Sequence, residues 1–197
     1  MESHEEYLLE DFKQYHEWMR HYDKSFTSMI NFLYSGYAAV ITAAYVLYSK
    51  YPNTKEANLG ATLLFSLAAL LSPVFMFWLM KKRKYFSDTD RWVNKIRNIY
   101  LKQHPLGIDS PASHLENENY PPYFNRSSTH VILLYFTAFF SSVMLCLAVY
   151  SSIKTINLYS LLSIDMPLWS FFVFTIAIFI IYIVWIVTRL KEMERKA

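Results

Sequence analysis

Four stretches of this chain contain no Asp, Glu, Lys, Arg or His: Ser25 to Ser49, Ala57 to Met80, Val131 to Ile153, and Met166 to Thr188. Each supplies the roughly 20 apolar residues that a helix, rising about 1.5 Å per residue, needs to cross about 30 Å of hydrocarbon. A charge at the centre of such a helix costs on the order of 2.5–3.5 kcal/mol on insertion scales, so runs this long and this free of charge are a strong constraint. Apolar residues make up 54% of the chain and charged ones only 18%, too greasy for an ordinary soluble domain. Mean hydropathy is nevertheless only +0.14, because polar segments alternate with the apolar runs. The expected fold is an all-α polytopic membrane protein with four transmembrane helices.

Orientation follows from where the cations sit. Sixteen of the 19 Lys and Arg residues lie in the N-terminal segment, the central loop or the C-terminal tail, leaving only Lys50, Lys55 and Lys154 on the opposite side. The positive-inside rule then places both termini and the central loop in the cytoplasm. The chain divides into an amphipathic N-terminal helix (1–24), a transmembrane hairpin (25–80), a basic helix and proline-rich loop (81–128), a second hairpin (129–188) and a basic tail (189–197). The first span begins late and behind an acidic flank, so no secretory signal peptide is expected.

The stretch Met80 to Lys102 orients the rest. Lys81, Lys82, Arg83 and Lys84 end the second span as a stop signal. Ser87 then reads as an N-cap with Asp88 and Asp90 in the first turn, which predicts a new helix running to about Gln103. Trp92, Val93, Ile96, Ile99 and Tyr100 give it an apolar side, and Arg91, Lys95, Asn98 and Lys102 a basic stripe. That stripe has three readings: topology-setting charge that binds anionic lipid, a docking surface for an acidic partner or a neighbouring copy, and nucleic-acid contact, the weakest. The following loop carries four prolines, and its Tyr120, Tyr123 and Phe124 beside Pro121 and Pro122 suggest a contact surface that orders on a partner.

In the N-terminal segment Tyr7, Leu8, Phe12, Tyr15, Met19, Tyr22 and Phe26 recur at helical spacing, with no proline or glycine before the first span. This predicts one rod that projects into the cytoplasm and packs on protein, since its acidic excess disfavours an anionic bilayer surface. Pro73 is expected to kink the second helix. The fourth span, apolar on all sides, should be the most lipid-exposed. Cys146, the single cysteine, reads as buried packing.

No phosphate-binding loop, dinucleotide fingerprint, paired-cysteine site or hydrolase motif occurs, and the spans hold no ionisable Asp, Glu, Lys, Arg or His that would mark an ion or proton path. The helix histidines His16 and His21 stand five apart, off the spacing of a metal pair. No catalytic residue, metal or other cofactor is therefore expected. A lipid enzyme using His104, Asp109 and His114 would need a mechanism their spacing does not suggest.

The order of parts, with HYDKSFTSMINFLYSGYAAV entering the first span and KKRKYFSDTDRWVNKIRNIYL leaving the second, resembles small multi-helix membrane proteins of bacterial phage-defence systems. These include SLATT-type effectors and, closer because it has four helices, the KwaA membrane subunit of the Kiwa system. The resemblance implies a non-enzymatic, homo-oligomeric inner-membrane protein that senses infection or anchors the response through a soluble cytoplasmic partner. An oligomeric pore that permeabilises the membrane is the alternative.

Overall fold

The structure, a computed structural model, describes residues 2–52, 54–103, 117, 119–156 and 168–196. These residues form four helices, each long and apolar enough to cross a membrane: α1 (Glu2–Lys50), α2 (Lys55–Gln103), α3 (Thr129–Ile156) and α4 (Leu168–Arg195). At about 1.5 Å per residue, 49-residue α1 and α2 are each roughly 73 Å long, more than twice a bilayer's hydrocarbon thickness. They lie antiparallel. The excess length carries the charged residues, so the bundle has an apolar half and a charged end.

α1 is the unbroken rod its sequence predicts. α2 corrects one expectation. No helix starts at Ser87, because α2 runs continuously from Lys55. The lysines and arginines after Met80 are good helix formers, and Thr89 donates its hydroxyl to the Tyr85 carbonyl at 2.9 Å, satisfying itself within the helix rather than capping one. The real cap is upstream, where the Thr54 side chain accepts the Ala57 amide at 3.2 Å. Pro73 stands inside α2 without ending it.

Two apolar clusters hold the bundle together. Near the charged end, Phe26, Ile30, Met76, Leu79, Met80, Val131, Leu134, Ile186 and Leu190 join all four helices. Farther along, Leu33, Tyr37, Phe65 and Met144 join α1, α2 and α3. Within that second cluster the Tyr37 hydroxyl lies 2.7 Å from Ser72 Oγ and 2.9 Å from Ser141 Oγ. The serines also donate to the Ala68 and Thr137 carbonyls, so the buried hydroxyls are paired. Cys146 is buried on α3. α4 packs mainly on α3 and has the smallest buried share of the four apolar windows, in keeping with its all-round greasy sequence.

Candidate functional site

The chemistry of this protein gathers at the charged end, where residues 119–128 lead into α3. An irregular segment leaves its backbone carbonyls without ladder partners, and Pro121 and Pro122 have no amide to donate. Such a segment asks for donors. α2 supplies them from one face: Arg83 Nη2 donates to the Pro122 carbonyl at 3.0 Å, Arg91 Nε to the Pro121 carbonyl at 3.1 Å, and Asn94 Nδ2 to the Tyr120 carbonyl at 2.9 Å. Arginine only donates and a proline carbonyl only accepts, so the two sequence features answer each other.

Tyr123 is the centre of this clamp. Its side chain is fully buried, its hydroxyl donates to Asp88, and its amide donates to Glu194 Oε2 at 2.6 Å. The Arg91 guanidinium lies 4.3 Å from the ring centroid and pairs with the other oxygen of Glu194. Glu194, near the end of α4, thus accepts from both α2 and the loop. Burial, reinforced by the hydrogen bond to Asp88, pushes the Tyr123 phenol well above its ordinary value. Burial pulls the Arg83 guanidinium down, with Asp90 opposing. Burial also raises the Asp90 carboxyl, against the pull of Arg97 and Arg83.

α1 joins through a second junction. The His130 ring, at the start of α3, sits 4.1 Å from Phe26 and 5.0 Å from Phe86, with Nε2 3.0 Å from Asp23 Oδ1. Farther out Tyr22 meets Tyr85 at 5.7 Å, and Tyr15 stacks on Trp92 with centroids 6.1 Å apart. The aromatic face of the N-terminal segment therefore packs on α2.

The residues singled out from sequence separate into two groups. Arg91, Tyr120 and Tyr123, expected at a partner surface, are engaged inside the protein, and half-buried Phe124 has Lys191 5.7 Å from its ring. Trp92 and Lys95 point outward, with Lys95 Nζ 5.0 Å from the Trp92 ring and Trp92 51% exposed. They line a depression of about 420 Å³ together with Asp88, Arg91, Asn119, Tyr123 and Glu194. The side chain of Lys102, and all of His104, Asp109 and His114, lie outside the described residues. The basic tetrad is not uniform: Arg83 is buried, exposed Lys81 lies 5.7 Å from the Tyr85 ring, Lys82 lies 5.8 Å from Tyr22, and Lys84 reaches Asp88 at 4.0 Å.

Sequence reasoning missed Asn94, Asp88, Glu194 and the Asp23–His130 pair. The available signal was the pair Pro121 and Pro122, whose carbonyls accept and whose nitrogens cannot donate, in a chain with arginines on the preceding helix. Among the described residues no group of His, Cys, Asp and Glu could hold a metal ion. No family model, curated protein or solved structure matches the chain.

Proposed function

We propose that this protein is a non-enzymatic, homo-oligomeric inner-membrane subunit of a bacterial antiphage defence complex, with both termini in the cytoplasm and a soluble protein partner docked at the charged end. The observation that carries the docking reading is the outward pair Trp92–Lys95. The clamp beside it satisfies its own charges, whereas exposed Lys95 and the half of Trp92 not covered by Tyr15 edge a depression among the described residues. Exposed tryptophan beside a cation is a frequent anchor for a protein partner. The lysine-rich distribution supports the sidedness, and Lys81, Lys82 and Lys84 at the end of the apolar half suit anionic lipid headgroups. The defence role draws on the sequence resemblance of the first half of the chain.

The test uses the full chain, purified from its own membranes in mild detergent, with co-purifying proteins identified by mass spectrometry. Trp92→Ala with Lys95→Glu should lose the soluble partner while resistance to carbonate extraction from membranes is kept. Arg91 is left intact because its reversal would break the clamp. Undiminished recovery of the partner by the double variant would sink the docking assignment. Dye release from vesicles holding the bare protein would instead favour the pore.

A further inference from the structure

Three buried side-chain atoms have no hydrogen-bond partner among the described residues: Tyr34 Oη, Ser87 Oγ and His130 Nδ1. Only the last belongs to a group that changes charge near neutral pH. His130 stands one residue before the charge-free run of the second hairpin and is only 6% exposed. Phe26 of α1 and Phe86 of α2 pack on its ring, and two charged groups face it, Asp23 from α1 and Arg83 from α2. Among the described residues, neither the loop 119–128 nor α4 presents a charged group to the ring. To offer Asp23 a hydrogen, the neutral ring must carry it on Nε2, which leaves Nδ1 as a bare acceptor. A second proton can go only to Nδ1, where it finds phenyl rings and no acceptor. The added charge also lies toward buried Arg83 and in the first turn of α3, where the helix dipole is itself positive. Asp23 alone opposes this, and with its side chain 60% exposed its attraction is screened by water. Burial, with Arg83 reinforcing and Asp23 opposing, accordingly holds the ring's affinity for that proton below its ordinary value.

We infer that His130 is an acid-responsive latch on the charged end: neutral, its ring seats the start of α3 between α1 and α2; protonated, it leaves that seat and the first turn of α3 opens. Once opened, the ring meets water and regains its ordinary proton affinity, with a midpoint near about pH 6.5. Above that pH the ring is neutral in both states and the seat keeps its full stability. As the pH falls through about 6.5, the opened state takes up a proton that the seated ring refuses, so opening becomes more favourable until the seated ring titrates in turn. Between about pH 7.5 and about pH 5.5 this amounts to roughly threefold to tenfold in the opening equilibrium, about tenfold being the limit for a seated ring that stays neutral throughout. The latch needs neither a protein partner nor a strong Asp23 pair. Packing of Phe26 and Phe86 supplies the hold, and charge on the imidazole decides whether the hold is kept.

Hydrogen exchange of the full-length protein in lipid nanodiscs, corrected for the intrinsic amide rate at each pH, tests the latch. The Val131 and Ile132 amides both donate to the Ser128 carbonyl at 3.0 Å, and their opening should rise roughly threefold to tenfold from about pH 7.5 to about pH 5.5. The Tyr51 amide, bonded to the Leu47 carbonyl at the other end of the bundle, serves as the internal control and should not follow. In His130→Phe the rise should vanish, since every other titratable group is common to the two proteins. Asp23→Asn keeps the ring and removes the one charge that favours the imidazolium, so it should bring the rise to the upper end of that range. Histidine nitrogen-15 shifts in the same nanodiscs, with the His130 signal identified by its displacement in Asp23→Asn, should show a neutral ring with its hydrogen on Nε2 at about pH 7.5. An equal pH response in the native chain and His130→Phe, a response diminished by Asp23→Asn, or a His130 ring already charged at about pH 7.5 would each overturn the latch. Should His130→Phe fail to fold, Asp23→Asn and the ring signal decide by themselves.

Discussion

Removing the Tyr123 side chain should release the segment 119–128 from the charged end, and the size of the effect can be worked from its surroundings. A buried tyrosine removes about 150–250 Å² from water, which at about 25 cal/mol per Å² is roughly 4–6 kcal/mol as an upper bound. Measured aromatic-to-alanine replacements in cores cost about 3–5 kcal/mol. Tyr123→Ala should therefore speed hydrogen exchange of this segment by roughly two to three and a half orders of magnitude, provided exchange occurs through its opening. The reporting amides are known: Tyr123 donates to Glu194, Tyr120 to the Asn117 carbonyl and Ser128 to the Asn125 carbonyl. Tyr123→Phe isolates the phenol. A hydrogen bond to a charged acceptor is worth about 1.5–3 kcal/mol, and the low end applies because Asp88 is 37% exposed and also close to Lys84. About tenfold faster exchange is expected. Exchange measured by mass spectrometry in lipid nanodiscs would refute this account if Tyr123→Ala left the segment within threefold of the native protein.

Glu194→Ala removes the acceptor shared by Arg91 and the Tyr123 amide; with Arg91 still bonded to the Pro121 carbonyl, it should cost about 1–3 kcal/mol, read as a lowered thermal midpoint in detergent. His130→Phe should stay within about 1 kcal/mol of native stability, because the ring is flanked by Phe26 and Phe86 while Asp23 is open to water; a loss above about 2 kcal/mol in the same melt would show that the Asp23 pair matters. Tyr37→Phe should cost no more than about 2 kcal/mol in a detergent-unfolding titration, since Ser72 and Ser141 keep their helix-carbonyl bonds. Because the folded state raises the Tyr123 phenol above its unfolded value, its stabilisation is complete below about pH 10 and falls away as pH rises toward the folded value. Melts at about pH 9 and pH 11 should thus differ less in Tyr123→Phe than in the native chain.

The helices were legible because their signal is local. Charge-free runs mark the four apolar segments, and the spacing of Tyr15, Tyr22 and Phe26 marks the face by which α1 packs on its neighbours. The false break at Ser87 shows the limit of local reasoning. Ser-Asp-Thr-Asp is a sound capping sequence, but α2 already had a preceding turn of Lys and Arg to extend, and extension adds a hydrogen bond without the cost of a new nucleus. The clamp was half legible. Arg91, Tyr120 and Tyr123 were expected at a partner or lipid surface and instead bond within the protein, because a sequence cannot tell an arginine that reaches a partner from one that reaches its own loop. Glu194 is 71 residues from Tyr123 and its own neighbours Met193 and Arg195 give no hint of the role.

What the clamp does for the bundle follows from the unequal packing of α4. Along its apolar length α4 leans on α3 and only lightly on α2, and its outward residues are greasy. Its fully buried side chains are Ile186 and Leu190, both at the charged end and one to two turns before Glu194. Burial and polar anchoring therefore coincide in the last turns of the helix. α1 and α2 need no such fastening, because their long antiparallel contact runs from the Leu47–Gly60 approach to the Tyr15–Trp92 stack. The loop and Glu194 tie the most lipid-exposed helix to this pair at its charged end. Loss of the clamp is thus expected to loosen α4 first, from its charged end inward, and to leave the α1–α2 pair and the hydroxyl contact of Tyr37 in place.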